Sequence, residues 1–143
     1  MKKSFSFLLA AISFIFFLSC SNNDELLIKQ TIQEYQTALN NNNTEKLIEL
    51  SETPDTYTIS LASQYINMFT EMGLKPEYTI NVIELSVYES IAKATLKTTT
   101  NYIGDDKEVI AAIKYLVPPV TDSILTLKKI NNTWKIIDEK VIE

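Results

Sequence analysis

The spacing of apolar residues changes from a helical period in the first half of the chain to an alternating period in the second. Apolar residues recur every three or four positions over residues 24–40, which predicts an amphipathic helix that starts with two acidic residues. Asn40–Asn43 interrupts this pattern, because asparagine favours turns and left-handed backbone. Thr44 is then the expected N-cap of a short second helix that carries Leu47, Ile48 and Leu50 and ends before the turn signal Thr53-Pro54-Asp55.

A third helix is predicted after Thr56–Ile59, a short segment rich in β-branched residues that favours an extended backbone. The helical pattern starts at Ser60, and Gly73 and Pro76 supply the signals that end it. A stripe of this kind is expected to pack into the core. It consists of Leu61, Ala62, Tyr65, Ile66, Phe69 and Met72.

The second half of the chain has the pattern of an antiparallel meander. Strands are predicted at Tyr78–Tyr88, Ile91–Ile103, Ile124–Ile130 and Thr133–Ile142, with a two-asparagine turn between the last two. The second strand alternates clearly, so one of its faces is expected to point inward. Small side chains on that face either let a helix approach closely or leave a cavity. The inward face carries Ala92, Ala94, Leu96, Thr98, Thr100 and Tyr102.

The segment Asp106–Val117 fits two patterns. Its apolar residues fit a helix with acidic residues at the start, and they fit an alternating strand equally well. Pro118-Pro119 ends the segment in either case. Both alternatives remain open, and the extended one is favoured.

Helices followed by a meander indicate the α+β class, with N-terminal helices packed on one face of a curved antiparallel sheet. Ile28–Glu52 resembles the two opening helices of the nuclear transport factor 2-like superfamily, and Leu127–Ile136 resembles its closing hairpin. The resemblance implies one cone-shaped, cystatin-like domain over residues 26–143. Asp106–Pro119 is long for the loop before that hairpin, and we expect it to be an insertion over the mouth of the cone.

The first twenty residues have the layout of a secretory signal. Lys2 and Lys3 precede an apolar run, Phe5–Leu18, which is shorter than the about 20 residues that a membrane span needs. Phe17–Cys20 resembles the lipobox of bacterial lipoproteins, in the version found in Bacteroidetes. Residues 1–19 are therefore expected to be a signal peptide that is removed.

The lipobox resemblance implies an address as well as a modification. Cys20 would carry the acyl chains, and residues 20–25 would form a short tether. The expected location is the cell envelope, with the domain anchored to the outer membrane through the lipid on Cys20. The acidic end of Ser21–Glu25 resembles an export tag for the cell surface, so the periplasmic face and the surface both remain open.

Composition removes several kinds of chemistry. The chain has no His and one Cys, which excludes Ser-His-Asp and Cys-His catalysis and His metal ligands. It has two Gly, too few for a glycine-rich phosphate loop. The net charge of −5 becomes −7 without Lys2 and Lys3, and Arg is absent, so nucleic acid is a poor partner. We expect no metal and no cofactor.

A cone of this type usually holds a pocket between its helices and its sheet. The residues expected to line it are Tyr65, Tyr102, Trp134 and Asp138. Enzymes of the ketosteroid-isomerase type need a carboxylate base and a tyrosine donor. Asp138 shares the parity of Trp134 and could serve as that base, with Tyr102 as the donor. The alternative is that Asp138 is solvated and Tyr102 is a rim aromatic.

The function predicted from these features is a non-catalytic envelope protein that binds a small ligand or a partner protein. The alternatives are a carboxylate and tyrosine enzyme, and a structural or inhibitory envelope protein. The His/Asp pair of SnoaL-like members has no counterpart here, because the chain lacks His. Asp122–Ile124 also matches a short O-glycosylation signature of exported Bacteroidetes proteins, which makes Ser123 a possible modification site.

Overall fold

The computed structural model describes residues 23–53 and 57–142, which form an α+β domain as predicted. The helices α1–α3 come first, and a four-stranded antiparallel sheet follows, with α4 inserted between its second and third strands. The elements are α1 (residues 23–40), α2 (Thr44–Leu50), α3 (Tyr57–Glu71), β1 (Lys75–Tyr88), β2 (Ile91–Ile103), α4 (Lys107–Leu116), β3 (Val120–Ile130) and β4 (Thr133–Ile142).

The sheet is the meander that the alternating pattern predicts, in the order β1-β2-β3-β4. Each strand pairs antiparallel with the next, and β1 pairs with β2 from Lys75 to Tyr88. Two β-bulges interrupt the ladders, one at Ile83 in β1 and one at Ile137 in β4. A bulge bends its strand and increases its twist, so these two positions contribute to the curvature of the sheet.

The main core lies between the inner face of the sheet and helices α1 to α3. Ala92 and Ala94 of β2 are completely buried in the same cluster as Ile28 and Ile32 of α1. Their small side chains therefore serve close packing at this end of the strand. Farther along β2 the inward residues line a cavity instead, so the two alternatives predicted for this face occur at different ends of one strand.

Helix α1 is fastened to the sheet along its length. At its C-terminal end, Asn40 Oδ1 accepts a hydrogen bond from Tyr78 N at 2.7 Å, and Asn40 Nδ2 donates to Tyr78 O at 3.0 Å. Gln36 Oε1 accepts from Ile80 N at 2.6 Å. Because β1 is an edge strand, these amides satisfy backbone groups that would otherwise be open to a foreign strand.

The N-terminal end of α1 is fastened by Asp24. Its Oδ1 accepts from Lys129 Nζ at 2.7 Å and from Trp134 Nε1 at 3.2 Å. The Lys129 ammonium also lies 5.9 Å from the centroid of the Trp134 ring, within range of a cation–π contact. Asp24 and Glu25 are helical, as the apolar pattern over residues 24–40 predicted, although the same two residues were also placed at the end of the tether of residues 20–25.

The N-cap of helix α2 lies one residue earlier than predicted. Asn43, not Thr44, is the N-cap, and its Oδ1 accepts from Lys46 N at 3.0 Å. Asn and Thr are both good N-cap residues, so the turn that follows α1 decides which of the two positions becomes the cap. After the helix, Glu52 N donates to Ile136 O at 2.9 Å, and Ser51 forms a parallel bridge with Ile136 at the edge of β4.

Helix α3 begins at Tyr57, so the extended segment predicted for Thr56–Ile59 is wrong over its described residues. The preference of β-branched residues for strands is weak, and it does not decide the backbone at this position. The helix ends as predicted at Gly73, whose φ of 68° lies in the left-handed region.

The segment after β2 is a helix, so the extended form favoured for Asp106–Val117 is wrong. Asp106 Oδ1 accepts from the backbone N of Glu108 at 2.9 Å and of Val109 at 3.1 Å, which caps α4. Ile113 is buried against Phe69, Leu74 and Tyr102 in a second, smaller cluster. The cap and this one-sided apolar face together favour the helix.

The predicted signal peptide of residues 1–19, the lipidation site Cys20 and the turn around Pro54 lie outside the described residues. Among the helices that the structure does describe, none is both long and apolar enough to cross a membrane.

Candidate ligand cavity

A cavity of ≈ 380 Å³ lies between α1, α3 and one end of the sheet, with the C-terminal end of α4 at its side. Its walls are mainly apolar and unusually rich in aromatic rings. The aromatic lining consists of Tyr35, Tyr65, Phe69, Tyr78 and Tyr102. Aliphatic side chains complete the walls, among them Leu39, Leu61, Ile80, Leu116, Val117 and Val141. A space of this size and character is typical of a small-molecule site.

The polar part of the lining is small. Three threonines, Thr98, Thr100 and Thr121, contribute hydroxyl groups, and Glu139 is the one acidic residue among the lining residues that the structure describes. Glu139 is therefore the strongest recognition element in the cavity.

Two neutral hydroxyls hold the Glu139 carboxylate in place. Tyr35 OH, from α1, donates to Oε2 at 3.1 Å, and Ser123 Oγ, from the neighbouring strand β3, donates to Oε1 at 2.8 Å. Burial raises the pKa of Glu139, with a smaller contribution from Asp138, although both hydrogen bonds act in the opposite direction. The charged form of this group is therefore incompletely compensated by the protein.

The tyrosines around it are held in their neutral form. Burial raises the pKa of Tyr35 well above its ordinary value, and the adjacent Glu139 raises it further. Burial also raises the pKa of Tyr78 and of Tyr102. These hydroxyls therefore act as hydrogen-bond donors and acceptors and not as phenolates.

The structure places Glu139, and not Asp138, inside the cavity. Ile136 pairs with Leu127 and Asp138 pairs with Thr126, so Ile137 is an extra residue in β4. This bulge reverses the parity of the strand after Trp134 and Ile136, which leaves Asp138 exposed. The prediction that Asp138 points inward is corrected by one position. The sign of the bulge in the sequence is the pair Ile136-Ile137, in which Ile137 falls on the strand face that carries Lys135.

The other three residues predicted for the pocket have different positions. Tyr65 and Tyr102 line the cavity, and Phe69 lies between them, with ring centroids 6.1 Å from Tyr65 and 5.5 Å from Tyr102. Tyr102 OH donates to Val117 O at 3.4 Å, which connects the cavity wall to the end of α4. Trp134 is buried at the opposite end of the sheet against Asp24 and is not among the lining residues.

Ser123 is part of the cavity's support and is not a surface acceptor for sugar. Its side chain is buried, with 2% of its surface exposed, and its hydroxyl is bonded to Glu139. O-glycosylation of Ser123 is therefore incompatible with the folded domain. Asp122–Ile124 is an ordinary part of strand β3.

Sequence reasoning missed three residues of the site, Tyr35, Tyr78 and Glu139. Tyr35 lies in the predicted first helix and Tyr78 in the first predicted strand, and a tyrosine in such a pattern carries no sign that its hydroxyl meets a cavity. Glu139 was hidden by the parity change. No group of three or more acidic or Cys side chains that could hold a metal ion is found within residues 23–53 and 57–142.

Neither the protein-family models nor the curated proteins contain a match to this sequence. Solved structures are similar in fold. A nuclear transport factor 2-like protein of unknown function from Shewanella oneidensis matches with TM-score 0.62 and 11% identity, over 84% of this chain and 99% of that chain. One from Silicibacter pomeroyi matches with TM-score 0.55 and 11% identity, over 85% and 98%.

A third similar structure is a protein of unknown function with a cystatin-like fold from Nostoc punctiforme. It matches with TM-score 0.55 and 14% identity, over 82% of this chain and 89% of that chain. Identities this low bear on the fold alone. The chain therefore has the nuclear transport factor 2-like, or cystatin-like, cone fold, as the helix and hairpin resemblance predicted, and its function has to be argued from the cavity.

Proposed function

We propose that this protein is a lipid-anchored protein of the bacterial cell envelope whose cone domain binds a small amphipathic ligand without transforming it. The observation that carries the binding function is the cavity of ≈ 380 Å³ with the Glu139 carboxylate in its wall. The lipobox-like Phe17–Cys20 supports the anchor.

Binding is favoured over catalysis by the way the polar groups are used. Both hydroxyls closest to Glu139, those of Tyr35 and Ser123, donate to the carboxylate. A proton-transfer enzyme would need a donor directed at the substrate and a second polar group opposite the base. The described lining offers no second carboxylate, so Glu139 is better suited to holding a ligand than to moving its protons.

The ligand-binding proposal can be tested with a pair of matched variants. Thr98 lines the cavity, while its neighbour Thr99 is exposed on the other face of β2. We expect a library of small amphipathic compounds to contain some that raise the melting temperature of the full-length protein by about 10 °C at ligand concentrations about 100-fold above Kd. Thr98→Phe should fill the cavity and abolish the shift, and Thr99→Phe should retain it.

Two results would count against the binding proposal. One is a library in which no compound stabilises the wild-type protein. The other is a shift that persists in Thr98→Phe, which would place the binding surface elsewhere.

The anchor requires a separate test. In an expressing bacterium, metabolic labelling with an alkyne-tagged fatty acid should label the protein, and its intact mass should correspond to a chain that starts at acylated Cys20. Cys20→Ser should lose the label and the membrane association, whereas Ser21→Ala, one residue later, should keep both. A mature chain that still carries residues 1–19, or that bears no acyl group, would refute the anchor and leave the cavity proposal standing.

A further inference from the structure

The structure also bears on the chemical class of the ligand. We propose that it is a small organic amine with an apolar body, bound with its ammonium group against the Glu139 carboxylate and its body against the tyrosine-rich wall. This inference rests on the proposed ligand-binding function and specifies what that cavity would accept.

The Glu139 carboxylate has unused capacity to accept hydrogen bonds. Each oxygen of Glu139 accepts one hydrogen bond, from Tyr35 or from Ser123, and a carboxylate has about four acceptor positions. Both donors are neutral hydroxyls. The ion pairs between described residues use other acids, namely Asp24, Glu34, Glu49 and Glu52. A ligand that brings a positive charge would therefore supply the cationic partner that this half-buried carboxylate lacks.

The cavity that contains Glu139 also has an aromatic wall. Tyr65, Phe69 and Tyr102 form one continuous row of rings, with centroid separations of 6.1 Å and 5.5 Å. Tyr35 and Tyr78 add two more rings to the lining. Aromatic faces attract cations electrostatically and pack well against apolar groups, so such a wall suits an ammonium ion attached to an aryl or alkyl body.

The lining of the cavity disfavours a negatively charged ligand. No Lys is found among the described residues that line the cavity, and Arg is absent from the chain. An anionic ligand would find no cationic partner in the lining and would face Glu139. The net charge of −5 also attracts cations to the protein as a whole.

The volume of the cavity further restricts the class of ligand. The cavity of ≈ 380 Å³ is near the lower limit of the about 300–1,000 Å³ that is usual for small-molecule sites. A compact amine fits this volume better than a long-chain lipid or a polyamine with several charges.

The test compares three probes that share a body and differ in one polar group: phenethylamine, phenethyl alcohol and phenylacetate. Their affinities for the full-length purified protein are measured by titration calorimetry at neutral pH. We expect the amine to bind at least about tenfold more tightly than the alcohol, which is the effect of a hydrogen bond to a charged group, and phenylacetate to bind most weakly. Glu139→Gln should remove the preference for the amine.

Asp138→Asn is the matched control, because it removes the same charge from the exposed neighbour of Glu139 and should keep the preference. If the alcohol or phenylacetate binds as tightly as the amine, the amine inference is wrong while the binding function stands. A preference that survives in Glu139→Gln also refutes it. If the Thr98 library test finds ligands but none of the three probes binds, the amine class is rejected; if that library also gives no ligand, the binding function itself fails.

Discussion

A single half-buried carboxylate, that of Glu139, dominates the chemistry of this domain at the scale of the residue. Glu139 faces Tyr35 on α1 and Ser123 on β3, and it lies next to Asp138 on its own strand. Its pKa in the folded state is raised above the ordinary value of a glutamate, mainly by burial. Such a group contributes stability that is fully present below its unfolded pKa and is lost as the pH rises through its folded pKa.

The sign of this effect gives a prediction for Glu139→Gln, whose amide can still accept from Tyr35 and donate to Ser123. The difference in free energy of unfolding between wild type and variant should shift against the wild type as the pH rises from about 4 to about 8, because only the wild type must ionise an acid whose folded-state pKa is raised. Urea denaturation across this range measures it. An equal shift in Asp138→Asn would mean that loss of a surface charge, and not burial, is the cause.

The residue scale is also where sequence reasoning was least successful. It placed Tyr65 and Tyr102 in the neighbourhood of a pocket, and both line the cavity. It chose Asp138 where the structure has Glu139, because strand parity cannot be counted across a bulge that the sequence hardly marks. Burial of Ser123 was equally invisible, since a short signature says nothing about which face of a strand its serine occupies.

At the scale of the element, α4 is the most independent part of the fold. It packs on the rest of the domain through a small cluster in which Ile113 is its buried residue, and its N-terminus depends on Asp106. A helix of ten residues with so little buried surface relies on its cap more than α1 does. We therefore expect α4 to open locally at a lower cost than the sheet.

Asp106→Ala should make that opening easier. Loss of the cap costs about 1 kcal/mol, so the amides of α4 should exchange with solvent about fivefold faster in native-state hydrogen exchange, while those of β2 change little. Asp105→Ala is the control, because Asp105 is an exposed neighbour that is not the N-cap. Unchanged exchange in α4, or the same acceleration in Asp105→Ala, would show that the cap does not limit its stability.

Elements were predicted unevenly for physical reasons. α1 and β2 have long, regular patterns and were found with nearly the right bounds, because period and burial agree over many residues. α4 was ambiguous because ten residues can satisfy both periods, and the decision comes from a cap and a tertiary contact to Phe69 and Tyr102. The start of α3 was missed because the preference of β-branched residues for strands is too weak to fix the backbone.

At the scale of the whole molecule, the order of helices and strands was sufficient to predict the α+β cone. That order leaves few ways to bury one face of a four-stranded meander, and helices covering it are the simplest. The existence of a cavity did not follow from the same reasoning. It depends on how the helices pack over the end of β2 where Thr98 and Thr100 follow the fully buried Ala92 and Ala94, which is a matter of three-dimensional packing.

The contact of Asp24 with Lys129 and Trp134 bears on the side from which the proposed ligand would enter the cavity. It fixes the start of α1 at the β3–β4 turn, whereas Tyr35 and Leu39 of the same helix line the cavity. Tyr35 lies eleven positions after Asp24, which is about 16 Å along the helix axis. Cys20 precedes Asp24 by only four residues, a reach of at most about 14 Å.

A lipid on Cys20 would therefore hold the β3–β4 turn close to the bilayer and keep the cavity at the distal end of the domain. A ligand would then arrive from the aqueous compartment and not by lateral diffusion out of the lipid. In that arrangement the protein samples solutes at a short, fixed height above the membrane, which suits a water-soluble amine better than a membrane lipid.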